Sequence, residues 1–133
     1  MKIEDIEGIN KAYGKKLRGM GIGSVAKLLE HGGTRKGRET IAKECDLSPK
    51  RVLEWVNHAD LYRVKGIGSE YSDLLEAAGV DSVKELAQRK PENLYEKLKE
   101  VNDQKKLVRR GIGLKMCEKF VAHAKELPRA VSH

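Results

Sequence analysis

The sequence predicts an all-α fold of short helices in two tandem units. Apolar residues recur at helical spacing, capping and stopping residues punctuate the chain at short intervals, and one stretch occurs twice in register. No run of alternating β-branched residues suggests a strand. With 39% apolar but only 5% aromatic residues among 133, the cores should be small and mostly aliphatic.

Glu7 to Ile22 reads EGINKAYGKKLRGMGI, and Lys65 to Val80 reads KGIGSEYSDLLEAAGV. At an offset of 58, Gly8 pairs with Gly66, Ile9 with Ile67, Tyr13 with Tyr71 and Leu17 with Leu75. The register continues through Gly21 and Gly79, Ser24 and Ser82, Val25 and Val83, and Leu28 and Leu86. Further on, LEWVNHA (Leu53 to Ala59) matches EKFVAHA (Glu118 to Ala124) at an offset of 65. About seven extra residues are therefore expected in the second copy, around Leu94–Arg109. The expected units are 1–60 and 61–127, with 128–133 as a short tail.

The elements follow in order. Tyr13, Leu17 and Met20 form an i, i+4, i+7 stripe, and Gly21 sits where that helix should stop. Ser24 is the expected cap of the next helix, and Pro49 suits a first helical position. In the second unit Gly79 is the stop, Ser82 with Glu85 forms a capping-box pattern, and Pro91 opens a helix striped by Leu94, Leu98 and Val101. Pro128 closes the last helix.

Four sites share one pattern. Gly8-Ile9-Asn10, Gly66-Ile67-Gly68 and Gly111-Ile112-Gly113 read as tight turns around a buried aliphatic residue, and Asp46-Leu47-Ser48 fills a degenerate fourth slot. Six positions beyond each turn's first residue stand Gly14, Ser72, Cys117 and Val52; nine beyond stand Leu17, Leu75, Phe120 and Trp55. A Gly-apolar-Gly turn between two helices, with a small residue early on the second, resembles the helix-hairpin-helix motif. Two such motifs joined by a helix look like the paired domain of many DNA repair, replication and recombination proteins. The whole pattern is also similar to a bacterial family of tandem helix-hairpin-helix proteins whose activity is not established. The resemblance implies two tandem (helix-hairpin-helix)2-like, SAM-like bundles.

A glycine-lined turn lets a phosphate approach the backbone, and the following helix offers unpaired amides and the positive end of its dipole. Such contacts position a nucleic acid without reading its bases. The expected phosphate-binding residues are Gly8, Asn10, Lys11 and Lys15 at the first turn, Lys50 and Arg51 at the second, and Arg109, Arg110, Gly111, Gly113 and Lys115 at the fourth. Lys16, Arg18 and Lys119 add charge beside them. The third turn, Gly66, Ile67 and Gly68, is followed by Glu70, Asp73 and Glu76, so it is expected to be structural or to face a protein partner. The resemblance also allows a monovalent or divalent cation held by turn carbonyls.

The net charge of +7 divides as +3 over 1–60 and +4 over 61–133, so neither half is a detachable basic tail. Duplex DNA is the expected partner, bound without sequence preference. RNA and a protein-interaction or scaffold role are the alternatives. No apolar run approaches the roughly 20 residues of a membrane span, and the expected place is the cytoplasm or its nucleoid.

Catalysis is not expected. GMGIGS (Gly19 to Ser24) lacks a preceding strand, GGTRKGRET lacks the Lys-Ser/Thr of a phosphate loop, and no nucleophile–base arrangement emerges. Nor does any turn precede the Gly/Pro-rich loop and acid that helix-hairpin-helix glycosylases use. Cys45 and Cys117 suit buried free thiols rather than a disulfide or zinc site. His58 and His123 recur without a third ligand, so no metal site is expected. Trp55, Phe120, Tyr13 and Tyr71 read as packing residues, and Arg35 to Arg38 (RKGR) as a solvated loop or a phosphate patch.

Overall fold

The structure, a computed structural model, describes residues 2–132. Among these residues there are eight α-helices, one short 3-10 helix and no strand. The chain forms two compact units. Unit 1 comprises Met1–Asp60 with Arg129–His133, and unit 2 comprises Leu61–Pro128. The 3-10 helix (Ile3–Asp5) precedes α1 (Lys11–Gly19), α2 (Val25–Gly32), α3 (Arg35–Cys45) and α4 (Pro49–Leu61). Then come α5 (Ser69–Ala77), α6 (Val83–Ala87), α7 (Pro91–Lys105) and α8 (Leu114–Glu126). No described helix is long and apolar enough to cross a membrane.

Local chemistry sets most helix boundaries, and the same devices recur in both units. Ser24 caps α2 by accepting from the Lys27 amide at 3.1 Å, and Ser82 caps α6 by accepting from the Glu85 amide at 3.2 Å. Gly21 and Gly79 end α1 and α5 with φ of 82° and 90°. In each case the glycine N–H donates three residues back and the next N–H donates five back, from Ile22 to Leu17 and from Val80 to Leu75, both at 2.8 Å. These two bonds satisfy the last carbonyls of the helix.

The cores are aliphatic with one aromatic pair each. In unit 1, α1 and α2 pack on α3, and Ile3, Leu17, Leu28, Ile41, Val52 and Trp55 are buried. In unit 2, α8 packs on α6 and α7, burying Leu75, Leu86, Leu94, Leu98, Cys117 and Phe120. Each fully buried leucine contributes about 2 kcal/mol relative to an exposed one. Tyr13 lies 5.4 Å from Trp55 and Tyr71 lies 5.8 Å from Phe120, centroid to centroid, so these rings pack as expected. Both cysteines are free and buried. Burial raises both thiols, that of Cys117 to about 11.

The length difference between the units has three sources. Helix α2 with its joint to α3 is two residues longer than α6 with its joint to α7, α7 is four residues longer than α3, and the α7–α8 loop is five longer than the α3–α4 loop. Asp46 and Lys106 close α3 and α7 in the left-handed region, at φ 55° and 51°.

Two segments take unexpected forms. RKGR is the start of α3 rather than a loop, and Arg38 within it is buried. Its guanidinium donates to the Gly32 carbonyl at 2.9 Å and to the Ser132 carbonyl. Residues 129–132 therefore pack on unit 1: Val131 is buried and the Ser132 amide donates to the Gly33 carbonyl at 2.8 Å. This leaves Arg35, paired with Glu39 at 3.7 Å, and Lys36 as the exposed cations of that run.

Candidate nucleic-acid interface

The first and third turns have the same build. Gly8 and Gly66 take φ of 92° and 93°, where a side chain is strained. The amides of Ile9 and Ile67 donate to the carbonyls of Ile6 and Val64, both at 3.1 Å, and both isoleucines are buried. An aromatic ring lies behind each glycine. A Cβ on Gly8 would stand 3.0 Å from Trp55 Nε1, and one on Gly66 would stand 3.1 Å from Phe120 Cε1.

The helices that follow these turns begin differently. Asn10 accepts from the Tyr13 amide at 2.9 Å, so one of the first amides of α1 already has a partner. Gly68 has no side chain to do the same for α5. Lys11, Lys15 and Lys16 are exposed on α1. Arg18 forms a two-point pair with Glu4, Nη2 to Oε1 at 2.7 Å. That pair holds the Glu4 carboxyl below its usual range and the guanidinium above its own, so Arg18 is engaged inside unit 1. On α5, Glu70 and Glu76 are exposed but Asp73 is half-buried, which narrows the expected acidic face.

At the second turn, Ser48 Oγ accepts from the Arg51 amide at 3.2 Å, and Lys50 and Arg51 are exposed in the first turn of α4. The fourth turn departs from expectation. Gly111-Ile112-Gly113 is not a tight turn around a buried residue: Gly111 lies outside the left-handed region and Ile112 is only half-buried. The five additional loop residues let the chain reach α8 without reversing at Gly111. The loop is instead fixed by Asn102, whose side chain donates to the Val108 carbonyl at 3.1 Å and accepts from its amide at 2.9 Å. With Val108 buried by this clamp, Arg109 and Arg110 project as exposed cations.

The fold gives no reason for glycine at 111 and 113. A Cβ on either would meet nothing within 4 Å, and Gly113 has an ordinary extended φ of −117°. Gly113 is the N-cap residue of α8 and supplies no capping side chain. The first amides of this 13-residue helix are thus open to an outside acceptor, with Arg109, Arg110 and Lys115 exposed beside them.

A groove of about 740 Å³ runs between the third turn and α8 within unit 2. Lys65, Arg110 and Lys119 contribute cations to its lining, against the single acid Glu126. Tyr71, Met116 and Phe120 give it apolar walls, and Gly66 forms part of one edge. His123 Nδ1 accepts from the Lys65 amide at 2.9 Å and ties the turn to α8. The third turn, expected to be structural or to face a protein partner, thus shares a groove with Arg110.

Lys65 and Asn102 were missing from the expected site. Lys65 precedes a helix rich in acids, and only its packing against α8 brings it beside Lys119. Asn102 looks like any polar residue near a helix end until its clamp on Val108 is seen.

No curated protein and no solved structure matches the chain. A family model described as "Domain of unknown function (DUF4332)" matches residues 7–127, nearly the whole length. The chain therefore belongs to that family.

Proposed function

We propose that this protein is a non-enzymatic, sequence-independent DNA-binding protein, built from paired helix-hairpin-helix-like units, that contacts phosphates through backbone amides and basic side chains. One observation carries this reading: the uncapped start of α8, entered through two glycines the fold does not require, stands among Arg109, Arg110 and Lys115. Open amides at a helix N-terminus attract an anion, and glycine lets it come close. Lys65 and Lys119, lining the adjoining groove with Arg110, extend the positive surface. The contacts are of the kind that position a backbone rather than read bases. Lys11, Lys15, Lys50 and Arg51 provide a second exposed set in unit 1.

The test is fluorescence anisotropy with a labelled duplex of about 30 base pairs and random sequence, at roughly 50 and 200 mM salt. Four phosphate contacts would weaken binding on the order of a hundredfold between these conditions. Arg109→Ala with Arg110→Ala would reduce that factor to about ten. Absence of binding at the lower salt would overturn the proposal.

A further inference from the structure

We infer that the groove between the third turn and α8 accepts an unpaired nucleotide, its base against Tyr71 and Met116 and its flanking phosphates on Lys65, Arg110 and Lys119, so that the protein prefers single-stranded DNA to continuous duplex. This rests on the nucleic-acid reading above and specifies what the site in unit 2 takes.

The groove's size and composition are the first argument. At about 740 Å³ it has room for a nucleotide while lying open to solvent. Its cations come from separate elements: Lys65 from before the third turn, Arg110 from the α7–α8 loop and Lys119 from α8. The half-buried Tyr71 and Met116 and the buried Phe120 line the same groove. A ring and a thioether in one groove with a set of cations match the two faces of a nucleotide, which is apolar and stackable at the base and anionic at the phosphate.

Shape decides between duplex and single strand. A duplex is a convex cylinder whose bases are stacked inside it. It can meet the cations at the rim, but it leaves the apolar walls in water. An unpaired strand can satisfy both parts at once, turning its bases onto the walls while its backbone follows the cations. Unit 1 offers no second copy of this charge set, because Glu7 and Glu54 stand where unit 2 has Lys65 and Lys119. One nucleotide site per chain is therefore expected.

The experiment compares three labelled probes at roughly 100 mM salt: a 12-mer of thymidine, a 12-mer of abasic deoxyribose phosphate, and a duplex closed by loops at both ends. The thymidine strand should bind at least about tenfold more tightly than either of the others, within the range that base stacking supplies. Met116→Ala, at a half-buried position, should shrink the gap between thymidine and abasic strands while leaving duplex binding unchanged. Equal affinity for the thymidine and abasic strands would overturn the inference and leave phosphate binding standing, as would tighter binding of the closed duplex. Failure of all three probes even at 50 mM salt would remove the nucleic-acid reading, and this inference with it.

Discussion

The two units use the same structural devices but carry opposite charges at several matched positions. Both place a left-handed glycine over an aromatic ring, both bury the isoleucine that follows, and both close the next helix with the same glycine bonds. At matched sequence positions, however, Glu7 corresponds to Lys65, Lys15 to Asp73, Arg18 to Glu76 and Glu54 to Lys119. Backbone conformation and the ring behind each turn restrict which residues can form it. Exposed charges are not restricted in that way and can be reassigned at little structural cost. The fold of each unit therefore resides in its glycines, serines and buried aliphatics, while any function must be sought where the surfaces diverge.

The sharpest way to break the shared part is to fill a turn. Gly8→Val and Gly66→Val each place a branched side chain at a positive φ and against a ring. Each should cost about 3 kcal/mol, combining backbone strain with overpacking. Urea unfolding measures this, and similar losses at both sites would show that the two turns do the same structural job. The divergent part is tested by exchanging charges. Lys65→Glu with Lys119→Glu copies unit 1 into unit 2 and should weaken duplex binding on the order of a hundredfold at low salt. The opposite exchange, Glu7→Lys with Glu54→Lys, should change affinity by no more than about threefold, because unit 1 lacks the basic loop between α7 and α8. The smallest effect comes from Asn10→Gly, which gives α1 the bare start of α5. It should cost only a few tenths of a kcal/mol. If the cap competes with phosphate for the first amides of α1, binding should tighten slightly, which anisotropy would register.

The features that were legible in the sequence depend on nearest neighbours along the chain. Ser24, Ser82, Gly21, Gly79 and Pro91 act within one helical turn, so their spacing from the apolar stripe reveals their roles. Gly111-Ile112-Gly113 misled because its letters copy those at Gly66 while its setting differs. A tight turn needs the preceding carbonyl in reach and a ring behind it, and the longer α7–α8 loop supplies neither constraint. Arg38, Lys65 and Asn102 could not be placed because their partners, Ser132, His123 and Val108, are set by packing or loop conformation. Charge alone made Arg38 look like a surface residue, although backbone carbonyls receive its guanidinium in the interior.

The ring behind the first glycine has a practical consequence. Trp55 is the chain's one tryptophan, it is buried, and its indole N–H has no hydrogen-bond partner among the described residues. Its emission should be blue-shifted in the native protein and move to the red when unit 1 opens. Unit 2 has Phe120 in the matching place and no tryptophan, so excitation selective for tryptophan leaves it dark. Tryptophan fluorescence compared with far-ultraviolet circular dichroism, which sees helices in both units, therefore reports on its own whether the two melt in one transition or two.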